Sequence, residues 1–509
     1  MHVFLEAIEL VITPYTLLVI CAAATFGLFV GAIPGLTATM ATALLVPFSF
    51  YMDPVPAIAA IVACTTMAII AGDIPGALMR IPGTPASAAY VDEAYAMTKA
   101  GRPAKALGIS ICSSSVGGMI GFVALLFIAP ALGKIALQFS SFEYFWLAML
   151  GLSCAALISS GSKVKGTLSL LLGLFIATVG LDPLTATPRF SFGWTELMGG
   201  ISFIPAMIGM FALSEILRHK AGEPGKREPV MKIGNPLAGM VGTLWRHKFN
   251  VLRGSAFGTV IGALPGAGGD LGAWISYAIS KKFSKTPEKF GTGHSEGLVE
   301  ASATNNAALS SAWIPAMVFG IPGDAVTAIA VGVLVMKGMN PGPTIFINNP
   351  QNFYAVMIVF ALANLLIIPL GWLAVRFSRS IFRLSRTYLN ASILAFCIVG
   401  SYAVNNSVFG VGVMLAMGVI AFILESKGFP IAPIILGIVI GPLVEKNFLT
   451  SMIIADGNFL GFFERPIAAG LGLFTIVIWV LPLIVRGVSQ TRKLAGATGG
   501  IANADRGSQ

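Results

Sequence analysis

The sequence predicts an all-α polytopic membrane protein with about twelve transmembrane helices in two inverted-topology repeats, some of them broken or re-entrant. One observation behind this prediction is composition. Hydrophobic residues make up 56% of the 509 residues and charged residues only 11%, whereas a soluble domain carries about 25% charged residues. A soluble protein this poor in charge could not cover its surface. The other observation is that three motifs occur twice, in the same order along the chain.

The apolar segments form two series on either side of a basic stretch. The first series covers roughly 15–50, 55–80, 105–130, 143–160, 164–180 and 199–217, and the second roughly 250–280, 296–320, 325–338, 352–375, 389–405, 407–424, 428–444 and 466–486. We therefore divide the chain into a first membrane repeat, a basic linker, a second membrane repeat and a polar tail expected to be disordered, at 1–218, 219–248, 249–487 and 488–509.

The net charge of +10 would suggest nucleic acid binding in a soluble protein. Here the basic residues lie in short breaks between apolar segments, so the positive-inside rule explains them better. That rule places the central linker and the C-terminal tail in the cytoplasm of a bacterium, with the chain in its inner membrane. It leaves the loop 181–197 outside and the side of the N-terminus open.

The repeat is visible in paired motifs. Gly-Ala-Ile-Pro-Gly at 31–35 recurs as Gly-Ala-Leu-Pro-Gly at 262–266, and Ile-Pro-Gly at 81–83 recurs at 321–323. In both copies a further Ile-Pro lies seven residues before the second motif, and a segment like 99–103 follows at 337–341. The charge pattern places the loops after the second motif on opposite sides, which predicts inversion.

Four breaks interrupt the predicted membrane helices, at 31–35, 82–85, 262–269 and 322–323. Such breaks persist where protein or a water-filled cavity surrounds them, and paired breaks mark transporter binding sites. A broken helix offers free N–H groups and a positive dipole end, which suit a carboxylate. The alternative is that these residues only kink and pack helices. The candidate substrate-binding residues are Gly31, Pro34, Gly35, Thr37, Arg80, Pro82, Gly83, Thr84, Ser87, Pro265, Gly266, Gly268, Pro322 and Gly323.

Ionisable and amide side chains near the breaks are the candidates for coupling to an ion. They are Asp73, Asp270, Asn305, Asn306 and Asp324, with Na⁺ or H⁺ as the ion and no other metal or cofactor expected. Asp270 has helix capping as an equal alternative. Arg80 is expected to bind a substrate carboxylate or, as an equal alternative, to pair with Asp73. Glu296 and Glu300 are expected at the membrane interface.

The sequence lacks the motifs of several other functional classes. The sequence has no His-Glu-x-x-His zinc motif and no Walker A motif, so neither a zinc protease nor an ATP-driven pump is indicated. Ala-Gly-Gly-Asp at 267–270 is close to, but is not, the Gly-x-Gly-Asp motif of intramembrane aspartyl proteases. We therefore do not expect an enzyme.

Several of these segments together resemble the large membrane subunit of the tripartite tricarboxylate transporter family, TctA. The resemblance extends from about residue 14 to 482 and is carried by 31–50, 81–87, 101–108, GALPGAGG at 262–269, TNNAAL at 304–309 and GIPGDAVTA at 320–328. It implies a small membrane subunit (TctB), a periplasmic solute-binding protein (TctC) and transport of citrate or related carboxylates driven by an ion gradient. The alternatives are a passive anion channel and, with less support, an intramembrane enzyme.

The chain departs from the family pattern inside the candidate site. Gly72-Asp73 and Arg80 stand where the family has Gly-Ser and Asn, and Asp324 stands where serine is common. These changes bear directly on which carboxylate is selected.

Overall fold

Helices form almost all of the regular structure in the computed structural model, which describes residues 2–33, 36–158, 162–183, 185–218, 233–265, 268–381 and 386–480. Within these ranges, six helical spans are long and apolar enough to cross a membrane: Pro14–Gly31, Pro54–Met79, Pro103–Ala136, Pro350–Ser378, Val408–Ser426 and Ala432–Ile454. Five shorter apolar helices accompany them: Ala38–Ser49, Ser141–Leu157, Ala325–Met336, Asn390–Val404 and Pro466–Val480. The predicted all-α multi-pass class is confirmed.

The first half contains twelve described helices. They are α1 His2–Val11, α2 Pro14–Gly31, α3 Ala38–Ser49, α4 Pro54–Ala71, α5 Asp73–Met79, α6 Val91–Lys99, α7 Pro103–Ala136, α8 Ser141–Ile158, α9 Lys163–Ala177, α10 Thr195–Met198, α11 Phe203–Met207 and α12 Ser214–Arg218. A 3₁₀ turn at Ser87–Ala89 precedes α6, and a π-helical segment at Ile208–Leu213 joins α11 to α12.

The second half also contains twelve described helices. They are α13 Met240–Arg246, α14 Lys248–Gly262, α15 Gly268–Phe283, α16 Ser295–Ser311, α17 Trp313–Phe319, α18 Ala325–Met336, α19 Ile345–Asn348, α20 Pro350–Ile381, α21 Arg386–Asn405, α22 Val408–Ser426, α23 Ala432–Ile454 and α24 Pro466–Val480. Two 3₁₀ turns lie at Pro287–Lys289 and Phe459–Phe463.

The predicted linker is partly helical, because α13 lies within its second part. Residues 219–232 of the linker, and the polar tail 488–509, lie outside the described residues.

The segment 181–197, expected to be a loop, begins with a short hairpin. Strands β1 (Gly180–Leu181) and β2 (Pro188–Arg189) pair antiparallel. The hairpin forms because Asp182 stabilises the turn, accepting a hydrogen bond from the Thr185 amide at 2.9 Å. Arg189 then contacts Glu445 of α23 with a 3.1 Å hydrogen bond, which anchors the hairpin to the helices.

Glycine allows α2 and α14 to pack against the next long helix of their own half at very short distance. A Cβ added at any of four glycines would lie 2.1–2.4 Å from a backbone carbonyl oxygen of that helix. The pairs of glycine and carbonyl residue are Gly27–Cys64, Gly31–Ala68, Gly258–Thr304 and Gly262–Ala308. Small residues four apart permit this close approach in membrane helices. The predicted repeat is therefore matched by an equivalent packing of α2 on α4 and of α14 on α16.

The two halves are also interlocked. Helix α7 of the first half packs against α16 of the second, and α20 of the second packs against α4 of the first. The α7–α16 contact is close, since Cβ atoms added at Gly117 and Gly121 would lie 2.1 and 2.5 Å from the carbonyl oxygens of Ala303 and Ala307. This arrangement places the two halves in direct contact along α7 and α16.

Glu300, expected at the membrane interface, is enclosed by protein and forms an ion pair with Arg253. Its side chain is 0% exposed. Its carboxylate accepts hydrogen bonds from Arg253 at 2.5 and 2.8 Å and from Asn250 at 2.9 Å. Arg253 lies on α14 and Glu300 lies on α16. Glu300 is buried because these two helices pack closely against each other. Glu296 is partly buried on the first turn of α16.

Candidate functional site

Each half contains a short helix that ends in a left-handed residue just before the Ile-Pro-Gly motif. Helices α5 and α17 are both seven residues long and end at Arg80 (φ 59°) and Gly320 (φ 71°). In both copies the capping amide bonds the carbonyl four residues back, at 3.0 Å for Arg80 and 3.1 Å for Gly320. Glycine adopts this conformation without strain, whereas arginine does not. Arg80 is thus held in a strained position that its counterpart fills with glycine.

The two Ile-Pro-Gly segments, residues 81–87 and 321–327, are called the first break and the second break below. The first break folds back on the helix that leads into it. The Gly83 amide donates to the Gly72 carbonyl at 3.1 Å, and a Cβ added at Gly83 would lie 2.4 Å from the Cα of Gly72. Only glycine fits this contact. The motif therefore turns the chain sharply and exposes Pro82 while Gly83 is buried.

A reciprocal pair of hydrogen bonds follows the first Ile-Pro-Gly motif. The Ser87 amide donates to the Thr84 hydroxyl at 3.0 Å, and the Thr84 amide donates to the Ser87 hydroxyl at 3.1 Å. This is the geometry of a capping box at the start of a helical turn. The cap is made by uncharged hydroxyl groups.

The second break has the same box with a charged member. The Thr327 amide donates to the Asp324 carboxylate at 2.7 Å, and the Asp324 amide donates to the Thr327 hydroxyl at 2.8 Å. Thr84 and Asp324 each follow Ile-Pro-Gly directly, so they are equivalent positions. Asp324 therefore places a carboxylate where the first copy has a hydroxyl.

Helix α15 brings the two breaks into contact. Its Asp270 carboxylate accepts a hydrogen bond from the Ala86 amide at 3.0 Å, and its Trp274 indole donates to the Pro85 carbonyl at 3.1 Å. At the start of the same helix, Gly268 adopts φ +63°, and a Cβ added there would lie 3.2 Å from the Asp324 Cβ. Residues 85–86 of the first break and Asp324 of the second therefore flank the same helix end.

This junction, formed by Thr84, Ala86, Asp270, Asn305 and Asp324, is called the break junction below. Asp270 is exposed, Thr84 and Asp324 are half-buried, and Asn305 is buried. The Asn305 side-chain oxygen would lie 3.2 Å from a Cβ added at Gly269. The junction thus combines accessible carboxylates with backbone donors from a broken helix, which is suited to discriminating charged ligands.

Arg80 does not pair with Asp73, one of the two partners predicted for it. Its guanidinium binds Asp92 of α6 at 2.8 Å, and the two side chains are 61% and 59% exposed. Asp73, the expected protein partner, instead accepts hydrogen bonds from Tyr90 and Ser110. Arg80 therefore lies at the accessible edge of the first break, next to the exposed Ile81 and Pro82.

Asp73 lies in the protein interior at the start of α5, with its residue 6% exposed. Its carboxylate accepts a hydrogen bond from the Tyr90 hydroxyl at 2.9 Å and another from Ser110 of α7. One small cavity beside it is lined by Leu28, Met67, Ser110 and Gly371, and another by Gly76, Ser87, Tyr90 and Leu298. Since Ser87 belongs to the first break, the second cavity connects that break with Asp73.

Comparison with known proteins agrees with this architecture. Residues 17–436 match the family described as the tripartite tricarboxylate transporter TctA family. The chain belongs to this family. It is also 32% identical over 486 residues to a 52.8 kDa protein in the TAR-I ttuC′ 3′ region of Agrobacterium vitis, an alignment covering 94% of this chain and 95% of that protein. A protein in the TAR-II ttuC′ 3′ region of the same organism is 34% identical over 230 residues, which cover 45% of this chain and 95% of that protein. No solved structure matches.

Membership of the TctA family confirms the resemblance found in the sequence and assigns a role in transport across a membrane. The apolar helices described above are those of a multi-pass membrane protein.

The remaining predicted residues of this TctA-family chain are spread more widely. Thr37 caps α3 by accepting a hydrogen bond from the Met40 amide at 3.1 Å. Gly31 packs α2 on α4, as described above. Pro265 is buried, with its Cβ 3.1 Å from a Cβ added at Gly151 of α8. Pro322 is buried, and Gly323 packs on Ala312. Pro34, Gly35 and Gly266 lie outside the described residues.

Asn305 and Asn306 lie in different surroundings although they are adjacent on α16. Asn305 lies at the break junction, and its side chain also lies beside the Tyr90 hydroxyl. Asn306 is 0% exposed, and within the described ranges neither polar atom of its side chain has a hydrogen-bond partner. A buried amide without partners is costly, so Asn306 is a position from which a ligand could gain contacts.

Three residues of this region were not predicted from the sequence: Tyr90, Asp92 and Glu93. Glu93 is fully buried, and its carboxylate accepts hydrogen bonds from the amides of Gly291, Gly293 and His294 at 2.5, 2.8 and 2.7 Å. The Tyr277 hydroxyl donates to it as well, at 2.9 Å. The glycine-rich stretch 291–293 was the available signal, because successive backbone amides in such turns form anion-binding concavities.

Proposed function

We propose that this TctA-family chain is the large membrane subunit of a binding-protein-dependent secondary transporter that imports small carboxylates, such as citrate or other di- and tricarboxylates. A Na⁺ or H⁺ gradient drives the import. The observation that carries the proposal is the hydrogen bond between Asp270 and Ala86, which joins the breaks of the two halves. A site at the interface between repeats can open to either side of the membrane as the halves move.

Arg80 supports the choice of a carboxylate. Guanidinium binds a carboxylate through two parallel hydrogen bonds, and Asp92 occupies this position in the present structure. Because both partners are largely exposed, their pairing contributes little free energy. An incoming substrate carboxylate can therefore replace Asp92 on Arg80 at little cost.

Asp73 is our first candidate for coupling to protons. It is a buried carboxyl group with hydroxyl partners, and it shares a cavity wall with Ser87 of the first break. Intramembrane acids with this kind of surrounding form proton relays in transporters. Asp270, Asp324, Asn305 and Asn306 are the candidates for Na⁺, because carboxylate and amide oxygens are the ligands that this type of ion requires.

The assembly and orientation that we propose follow the family and the charge pattern. The chain lies in a bacterial inner membrane with the central linker and the C-terminus in the cytoplasm. A small membrane subunit of the TctB type accompanies it, and a periplasmic binding protein of the TctC type delivers the substrate.

The test is uptake of labelled citrate, succinate and glutarate into proteoliposomes that contain both membrane subunits and the binding protein. We expect accumulation that depends on an imposed Na⁺ or proton gradient and that stops when the matching ionophore is added. Arg80→Ala should abolish it, whereas Arg102→Ala, which changes an exposed arginine outside the site, should not. A passive channel would give flux indifferent to both gradients, and an enzyme would give product without any gradient. Absence of accumulation under either gradient contradicts the proposal.

A further inference from the structure

At each of the two breaks, one backbone amide that could bind an anion is already bonded to a carboxylate of the protein. In the second break, the Asp324 carboxylate accepts the hydrogen bond of the Thr327 amide at the start of α18. In the first break, the Ala86 amide is bound by Asp270, which comes from the other half. The N–H groups that a substrate carboxylate could use at these points are therefore already satisfied.

The first break shows how the second would be capped if a hydroxyl group replaced the Asp324 carboxylate. Thr84 and Ser87 close the same reciprocal box with hydroxyl groups, so that break has the cap without a resident charge. Asp324 adds a negative charge at the equivalent position and is half-buried at the break junction. A second anionic group beside it would be repelled by the like charge, and the Thr327 amide that it could use is already bonded.

We propose that Asp324 and Asp270 are specificity-determining residues that stand in for carboxylates of the substrate, so that this chain selects mono- or dicarboxylates over tricarboxylates. The inference rests on the proposed carboxylate transport and narrows it. Arg80 remains the cationic partner for a substrate carboxylate, because Asp92, and neither of these two acids, is its partner. The residue after the second Ile-Pro-Gly motif, together with Asp270, thereby limits how many carboxylates the site accepts.

The two acids differ in which half of the protein they bond. Asp324 is bonded within its own half, through a box that also stabilises α18. Asp270 bonds the opposite half and is exposed. We therefore expect Asp324 to act as a fixed charge in the site, whereas Asp270 leaves the Ala86 amide whenever the two breaks separate.

The experiment measures equilibrium binding to the purified full-length chain in lipid nanodiscs by isothermal titration calorimetry. The probes share a three-carbon backbone and differ in the number of carboxylates: butyrate has one, glutarate two and tricarballylate three. For the wild-type chain we expect butyrate or glutarate to bind more tightly than tricarballylate. Asp324→Thr should raise the affinity for tricarballylate relative to butyrate by roughly tenfold, because it removes a like charge from the site while the Thr327 amide stays capped.

Three further variants keep the test independent of folding. Threonine is a favoured N-cap residue and already forms this box at position 84, so Asp324→Thr should fold; Asp324→Asn retains the acceptor as well. The reciprocal change, Thr84→Asp, should weaken tricarballylate binding by a similar factor. Asp270→Asn keeps an oxygen for the Ala86 amide while removing the charge, and should shift the preference in the same direction as Asp324→Thr.

The outcomes separate the two proposals. If the probes bind but the affinity ratio stays within about twofold in Asp324→Thr, Asp324→Asn and Asp270→Asn, the stand-in role is wrong while carboxylate transport is retained. The same holds if the wild-type chain prefers tricarballylate. If none of the probes binds to the wild-type chain or is taken up with its partners, the carboxylate function fails and this inference fails with it.

Discussion

The Asp270 carboxylate and the Ala86 amide are 184 residues apart in the sequence, yet they form a 3.0 Å hydrogen bond. This bond connects the start of α15 in the second half with the first break in the other half. Trp274 reinforces it from one turn further along the same helix, by donating to the Pro85 carbonyl. Any movement that separates the two halves at this point has to break both bonds, so the junction is the place where alternating access is expected to act.

Arg80 combines backbone strain with a proposed binding role, and one substitution separates them. In Arg80→Gly the left-handed conformation becomes unstrained, as it is at Gly320, so stability should rise by up to about 1 kcal/mol. Uptake should nevertheless be lost, because the guanidinium is gone. Thermal unfolding in detergent and uptake in proteoliposomes measure the two effects. Asp92→Asn is the matched control, which frees Arg80 and should retain uptake; normal substrate affinity in Arg80→Gly would remove Arg80 from the site.

Asp73 allows the coupling proposal to be tested. Asp73→Asn keeps an oxygen that can accept from Tyr90 and Ser110 but cannot cycle a proton. We expect it to abolish accumulation driven by a proton gradient while exchange of substrate between the two sides continues. Tyr90→Phe removes one of the hydroxyl partners and should have a smaller effect. Undiminished proton-driven accumulation in Asp73→Asn would assign coupling to another group.

Removing Arg253 and removing the charge of Glu300 should lower the stability of the protein by different amounts. Glu300 is 0% exposed whereas Arg253 is 31% exposed, so only the arginine can be rehydrated when its partner is removed. Arg253→Ala leaves a buried carboxylate without its cation and should cost about 3–5 kcal/mol. Glu300→Gln should cost clearly less. Thermal unfolding in detergent measures both, with Arg246→Ala on α13 as the exposed control; equal losses in the two variants would contradict the explanation.

Glu93 predicts the local stability of the loop that follows α15. Glu93→Ala removes the acceptor of three backbone amides, at Gly291, Gly293 and His294. Since each hydrogen bond to a charged group contributes about 1.5–3 kcal/mol, amide exchange in this loop should become at least roughly tenfold faster. Hydrogen–deuterium exchange with mass spectrometry measures it. Glu288→Ala, an exposed acid of the same loop, should leave the exchange rate unchanged; equal exchange in the two variants would show that Glu93 does not hold the loop.

The sequence predicted those features of the site that depend on local backbone chemistry. The Ile-Pro-Gly motifs, their spacing and the glycines at Gly83 and Gly268 mark places where a helix cannot continue, and the structure has sharp turns there. Asp270 and Asp324 were expected beside the two breaks of the second half, and the structure shows each as a hydrogen-bond acceptor there. The partners of these residues were not predicted, and neither were Tyr90, Asp92 and Glu93, because a single sequence carries no record of which side chains meet across helices.

The sequence by itself determined that the chain is helical and crosses a membrane, that its halves are related, and where its helices break. These properties follow from hydropathy, from proline and glycine, and from the repeated motifs, all of which act over a few residues. Only the tertiary structure decided that Arg80 pairs with Asp92, that Asp73 faces Tyr90 and Ser110, that Glu300 is buried, and that Asp270 bonds Ala86. Each of these contacts depends on how distant helices pack, and packing fixes which polar groups must satisfy one another away from water.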